Sequence, residues 1–395
     1  MLDSLQRLPP DTILGLAADC RADPNPDKVD LTVGIYMNEA GVCPVFEAVK
    51  EAQQGLIHDE VSKAYISPVG DEAFNRGMRS LLLGENSATL ADNRVGNIQT
   101  PGGCGALRIG AEIIQAANPA TKVWVSDPTW PVHIPLLGSV GLQFETYRYY
   151  DPVDHSVNFD GMVEDLKNAK AGEVVLLHGC CHNPCGADLS LQQWQTIADM
   201  AEQQGFIPFV DIAYQGLGDG LERDAAGLRI LADRLPELIV AASCSKNMGL
   251  YRERTGNVLF ICKDANNAEA LVSQGLVAAR RVYSMPPAHG AIIAGRILQD
   301  VTLNALWQKE LGEMCGRING LRTALVSKLN ASTGRDFNFI EKEKGMFSFL
   351  GLSADQAIRL REEHAVYMLD SSRINVAGVN ASNIDYLAAA VAQVV

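Results

Sequence analysis

The chain has 395 residues, 47% of them apolar, enough to bury a large core spread over two or three domains. A formal net charge of −14 would be repelled by nucleic-acid phosphates, so no nucleic-acid partner is expected. No run reaches the about 18 apolar residues that cross a bilayer. The first sixteen residues carry prolines and acids where a secretory leader would be apolar, and the nine cysteines, an odd number, fit reduced thiols. The expectation is a cytoplasmic protein with no membrane contact.

Taken in chain order, strands are predicted over residues 122–126, 143–149, 174–178, 207–212, 238–243 and 257–262. Helical patterns such as 191–203 and 264–277 separate several of them. This alternation predicts an α/β fold with a mostly parallel sheet covered on both faces. Near residue 300 the texture changes to a long helix over 303–329 and then a strand-helix-strand tail. The expected organisation is an N-terminal segment, 1–45, that joins a small domain at 301–395, with a large domain at 46–300.

Four motifs fall near the ends of these elements. Thr100-Pro101-Gly102-Gly103-Cys104 opens an amphipathic stretch, where glycines let backbone N–H groups approach a phosphate and a helix N-terminus adds a favourable dipole. The full GxGxxG pattern is missing, which disfavours a nicotinamide cofactor. The strand at 174–178 breaks into Asn183-Pro184-Cys185-Gly186, whose asparagine amide can donate to a phenolate oxygen. His178, Cys181, His182 and Cys185 have zinc-ligand chemistry, but paired zinc ligands usually lie farther apart in sequence, so no metal is expected. Asp211 ends an apolar strand three residues before Tyr214; a carboxylate there can pair with a pyridinium nitrogen or cap a helix. Lys246 follows Ser243-Cys244-Ser245 in a crowded turn, where desolvation lowers an amine's pKa toward that of a Schiff-base nucleophile. Arg254 supplies a cation for a phosphate dianion.

In this order the motifs closely resemble those of the aspartate and aromatic amino acid aminotransferases, of the fold-type-I pyridoxal phosphate family. The resemblance runs from Ile13 to Gly378. It implies a seven-stranded, mostly parallel sheet in the large, cofactor-binding domain, and pyridoxal 5'-phosphate as cofactor. It also implies reversible amino transfer to a 2-oxo acid such as 2-oxoglutarate by a ping-pong route. Lys246 is implied as the Schiff-base lysine and proton carrier, Asp211 as the partner of the pyridine nitrogen, and Asn183 and Tyr214 as partners of the phenolic oxygen. Ser243, Ser245, Arg254 and the Gly102, Gly103, Cys104 loop resemble the phosphate cup, Trp130 the stacking indole, and His133 and His178 its support. Tyr65 resembles a tyrosine lent by the neighbouring subunit of a homodimer. Substrate contacts are implied for Gly34, Trp130 and Asn183, for Arg373 on the α-carboxylate, and for Arg280 on a distal acid, although Arg281 beside it leaves that choice open.

Three residues depart from the family pattern: Cys104 and Cys185 stand where threonines are usual, and Met248 where phenylalanine is common. They motivate a second reading, a diverged enzyme catalysing β- or γ-elimination or carbon–carbon bond formation. A non-catalytic paralogue is a third reading, disfavoured because a scaffold needs none of these chemistries. Ile35, Met37, Cys43, Ala64, Cys104 and Met285 shift the expected lining toward apolar and soft side chains. Aromatic amino acids are therefore expected as preferred substrates with dicarboxylic ones also accepted, the alternative being aspartate aminotransferase proper.

Overall fold

The computed structural model describes residues 2–9 and 11–395. The chain divides into two compact units, one formed by Pro44–Asn183 and Ala187–Arg317, the other by the residues through Cys43, Pro184–Gly186 and Ile318–Val395.

The larger unit is built on seven strands: β1 Val95–Pro101, β2 Lys122–Asp127, β3 Gln143–Arg148, β4 Val174–His178, β5 Ile207–Ile212, β6 Leu238–Ser243 and β7 Thr255–Ile261. Their order across the sheet is β1-β7-β6-β5-β4-β2-β3, with β7 antiparallel to both neighbours and every other pair parallel. The central strands β4 to β6 are almost continuously apolar because helices cover both of their faces. Helix Gly102–Ala117 packs on β6 and β7, with Ala265–Val282 beside it.

Strand β1 escapes a reading based on hydrophobicity. Ile98 joins Val123, Phe209 and Phe260 in the core on one face. On the other face Asn97 Nδ2 donates to Asn75 O (2.9 Å) and Gln99 Nε2 to Pro287 O (2.7 Å), so this buried face is polar but satisfied. Helices Glu72–Leu83, which carries Asn75, and Ala288–Gln299 pack together there.

Helix Val301–Thr333 begins close to the predicted place, but its residues as far as Arg317 belong to the larger unit. There Trp307 Nε1 donates to Asn247 O at 2.7 Å. The change of texture at residue 301 marks where a helix starts; the division between units falls inside that helix.

In the smaller unit Val29–Asp30 pairs in parallel with Val366–Tyr367, and Phe347–Phe349 pairs antiparallel with Arg373–Asn375. Helix Ala354–His364, opened by a Ser353/Gln356 capping box, and a further helix, Ile384–Val394, complete the tail. The strand-helix-strand expectation omitted that last helix. Their core gathers Leu31, Leu325, Leu329, Ile374 and Val376. Arg322, 1% exposed, donates to Ile340 O (2.9 Å), Gly345 O (2.7 Å) and Phe347 O (2.6 Å), pinning the turn before the first of these strands. Among the described residues no helix is long and apolar enough to cross a membrane.

Candidate active site

Strand register brings the chemistry of the larger unit to one edge. His178 is paired with Asp211 and Asp211 with Ala241, so the carboxyl ends of β4 and β5 deliver His178 and Asp211 side by side, with Ser243 two residues beyond Ala241 at the end of β6. This is the edge at which open α/β sheets bind ligands. Pro101 of β1 pairs with Thr255 and Ser243 with Gly256, which brings Gly102 and Arg254 to the same edge.

Asp211 sits at the end of a chain of polar contacts. His133 Nε2 lies 2.9 Å from Asp211 Oδ2, and Thr129 Oγ1 lies 2.8 Å from His133 Nδ1 and 3.2 Å from His178 Nε2. An ionised carboxylate only accepts, so His133 Nε2 carries the proton. Trp130 packs edge-on against the His133 ring at 5.3 Å. Burial alone would raise the pKa of Asp211, but the His133 hydrogen bond and the charges of His133 and Lys246 outweigh it and hold the carboxyl below its usual range. Burial, reinforced by His133, pushes His178 down to about 3, which leaves it a neutral imidazole. Thr129 is the functional residue that the sequence reading missed. It sits inside the Asp127-Pro128-Thr129-Trp130 segment, where no sequence signal marks it, because the fold alone brings His133 and His178 to its hydroxyl.

Lys246 follows β6 with Nζ 4.8 Å from the centroid of the buried Tyr214 ring. Burial lowers its pKa below the ordinary lysine range against the opposing pull of Asp211 and Cys104. Ser243 and Ser245 are buried on either side of Cys244. Asn183 is 6% exposed and its Oδ1 has no hydrogen-bond partner.

A cradle lies at the start of helix Gly102–Ala117. Gly102 has φ +68°, and a Cβ there would come within 2.5 Å of Arg254 Nη2. A Cβ on Gly256 would come within 2.3 Å of the Gly102 carbonyl carbon, and one on Gly103 would sit 3.5 Å from Ser243 Cβ. Three glycines thus let two strands, a helix N-terminus and a guanidinium converge. Arg254 Nη1 donates to Tyr251 O (2.8 Å), which orients it. Burial raises the pKa of the Cys104 thiol in the first helical turn, although Arg254 and Lys246 pull it down.

Other expected residues lie elsewhere. Arg281 is paired with Glu112 at 3.1 Å, whereas Arg280 donates to Ser284 Oγ (2.7 Å) and, among the described residues, meets no carboxylate. Tyr65 is 92% exposed. In the smaller unit the Arg373 guanidinium lies 4.5 Å from the centroid of the Phe347 ring and donates to Thr32 O, and a Cβ on Gly34 would overlap that same ring. Of the residues with zinc-ligand chemistry, His178 meets Thr129 and His182 Nε2 lies 3.2 Å from Ser126 Oγ, with the two rings packed at 3.9 Å. Cys180 and Cys181 instead lie with Asp224, whose oxygens accept the N–H groups of Gly216, Gly218 and Asp219. Contact with Cys180, burial and the Asp224 charge hold the Cys181 thiol protonated.

A family model described as aminotransferase class I and II matches residues 26–391. The chain belongs to this aminotransferase family. It is 45% identical to an aspartate aminotransferase of Escherichia coli and 45% identical to an aromatic-amino-acid aminotransferase of Paracoccus denitrificans, each covering the whole of both chains. It also resembles an aromatic-amino-acid aminotransferase from Burkholderia pseudomallei covalently bound to pyridoxal phosphate, at 40% identity and TM-score 0.98, over 100% of this chain and 99% of that one. The aminotransferase uses pyridoxal phosphate and catalyses transamination. Its own residues fit the group: the glycine cradle beside Arg254 suits a phosphate, and Asp211 is held ionised to meet a pyridine nitrogen.

Proposed function

We propose that this aminotransferase acts on aromatic amino acids by preference, accepts dicarboxylic ones, and passes the amino group to a 2-oxo acid such as 2-oxoglutarate. The observation that carries the dual preference is Arg280. Among the described residues it has no carboxylate partner while Arg281 is committed to Glu112, so Arg280 can serve a substrate acid and can stay solvated when a ring binds instead. Relatives with both kinds of name lie at equal identity. The test is kcat/KM for phenylalanine against aspartate with 2-oxoglutarate: a higher value for phenylalanine with measurable turnover of aspartate is expected, and a strong preference for aspartate overturns the reading in favour of an aspartate specialist.

Bound in the larger unit, pyridoxal phosphate supplies an electron sink that stabilises negative charge at the substrate Cα. The chain's residues do the rest. Lys246, its amine partly desolvated, carries the proton to and from the substrate carbon. Asp211, oriented by His133 and through it by Thr129, presents a fixed negative charge to the pyridine nitrogen. Asn183 and Tyr214 serve the phenolic oxygen. Gly102, Gly103, Cys104, Ser243, Ser245 and Arg254 hold the phosphate. Trp130 stacks on the ring, His178 supports it as a neutral imidazole, and Gly34 and Arg373 take the substrate's α-carboxylate side.

The working molecule is a homodimer with shared sites. Ile57 (70% exposed), Val61 (96%) and Tyr65 (92%) form an apolar stretch that a single chain leaves in water, which supports burial against a second copy. Nine free thiols support a reducing, cytoplasmic location.

A further inference from the structure

At the opposite edge of the sheet, where β4, β5 and β6 begin, a cavity of about 260 Å³ opens between the strand starts and the two helices packed on that face. Ile114 and Leu271 line its helix side and Ile239 and Phe260 its sheet side, so the interior is apolar. Its mouth is polar: Glu237 and Asn118 stand there, both exposed. Among the described residues Glu237 has no hydrogen bond or ion pair. The neighbouring cation, Arg94, is committed to the carbonyls of Cys262 (2.7 Å) and Leu235 (3.0 Å). Four residues of strand separate Ile207, in the lining, from Asp211, about 13 Å at the usual rise.

Size and charge restrict what can enter. A dry apolar cavity of about 150 Å³ accepts benzene, so about 260 Å³ suits a bicyclic ring. A carboxylate at the mouth with no ion pair among the described residues, on a chain of net charge −14, favours a cation. We infer that this cavity is a second ligand site, for a bicyclic aromatic ring carrying a short cationic arm. The ring lies between Leu271 and Phe260 and the cation meets Glu237. The site is independent of the catalytic residues.

The probe is 2-(indol-3-yl)ethyl-trimethylammonium, whose quaternary nitrogen cannot condense with the holoenzyme's cofactor, titrated calorimetrically. Saturable binding of one probe per chain is expected, with a Kd of about a millimolar or tighter. Glu237→Gln should weaken it about fivefold. Ala117→Trp, at an exposed position of the lining, should abolish it by filling the mouth, while KM and kcat for transamination stay unchanged in both variants. Two results overturn the site: no saturable binding up to about 10 mM, or binding that survives Ala117→Trp unchanged.

Discussion

Gly102→Ala isolates the cradle from the rest of the site. The residue has φ +68°, a conformation that costs an alanine about 1 to 2 kcal/mol relative to glycine. For a chain of 395 residues that corresponds to a fall of about 1 to 3 °C in the unfolding midpoint. The added Cβ would also stand 2.5 Å from Arg254 Nη2 and 2.9 Å from its Cζ. The guanidinium can withdraw by about 1 Å, because the obstacle is the end of a flexible side chain and not backbone. Withdrawal forfeits a charge-assisted contact to phosphate, about 1.5 to 3 kcal/mol, so the affinity for pyridoxal phosphate should fall about tenfold to a hundredfold. The assay is titration of apoenzyme with the cofactor by absorbance, alongside thermal unfolding of the same apoenzyme. Gly103→Ala is the control for stability, since its Cβ makes only ordinary contact with Ser243 at 3.5 Å. Unchanged cofactor affinity in Gly102→Ala, or an equal loss of stability in Gly103→Ala, refutes the reasoning.

Three further outcomes are expected. His178 titrates at about 3 in the folded chain against about 6.5 unfolded; its folded value is depressed, so the stability it contributes is present above the unfolded value and lost as pH falls toward 3, at up to about 1.4 kcal/mol per pH unit. Denaturant unfolding of His178→Asn should therefore show a flatter acid limb, and an unaltered limb would contradict the assignment. Arg322→Leu strands three carbonyls and the buried Glu343 3.6 Å away, and should cost about 3 to 5 kcal/mol by denaturant unfolding; a loss under about 1 kcal/mol would mean the guanidinium is dispensable. Mixing inactive Lys246→Ala protomers with Tyr65→Phe, Arg280→Ala protomers should restore activity on aspartate, because one site of each heterodimer regains all three side chains; verified heterodimers without activity would count against shared sites.

Apolar strands were the legible part of the fold. The spans 174–178, 207–212 and 238–243 coincide with β4, β5 and β6, because strands buried on both faces are written as unbroken apolar runs. Strand β1 was not legible: Asn97 and Gln99 are polar, and only their partners, Asn75 O and Pro287 O, 22 and 188 residues away, make the strand buryable. At the candidate site, Lys246, Asp211, Asn183 and the glycines drew attention in the sequence because each lies at or shortly after the end of a strand. Thr129 did not, since its role depends on two histidines that the fold brings to it from residues 133 and 178. The choice between Arg280 and Arg281 likewise waited on Glu112, which lies 169 residues from Arg281.

The central claim is that Lys246, beside Tyr214 and within the field of Asp211, is the amine that bonds the cofactor. Borohydride reduction of the holoenzyme, followed by proteolysis and mass spectrometry, tests it directly. The account predicts one pyridoxyl group per chain, on the peptide containing Lys246 and absent from Lys246→Ala. A pyridoxyl group on any other lysine, or none on Lys246 in protein that carries cofactor, would contradict it.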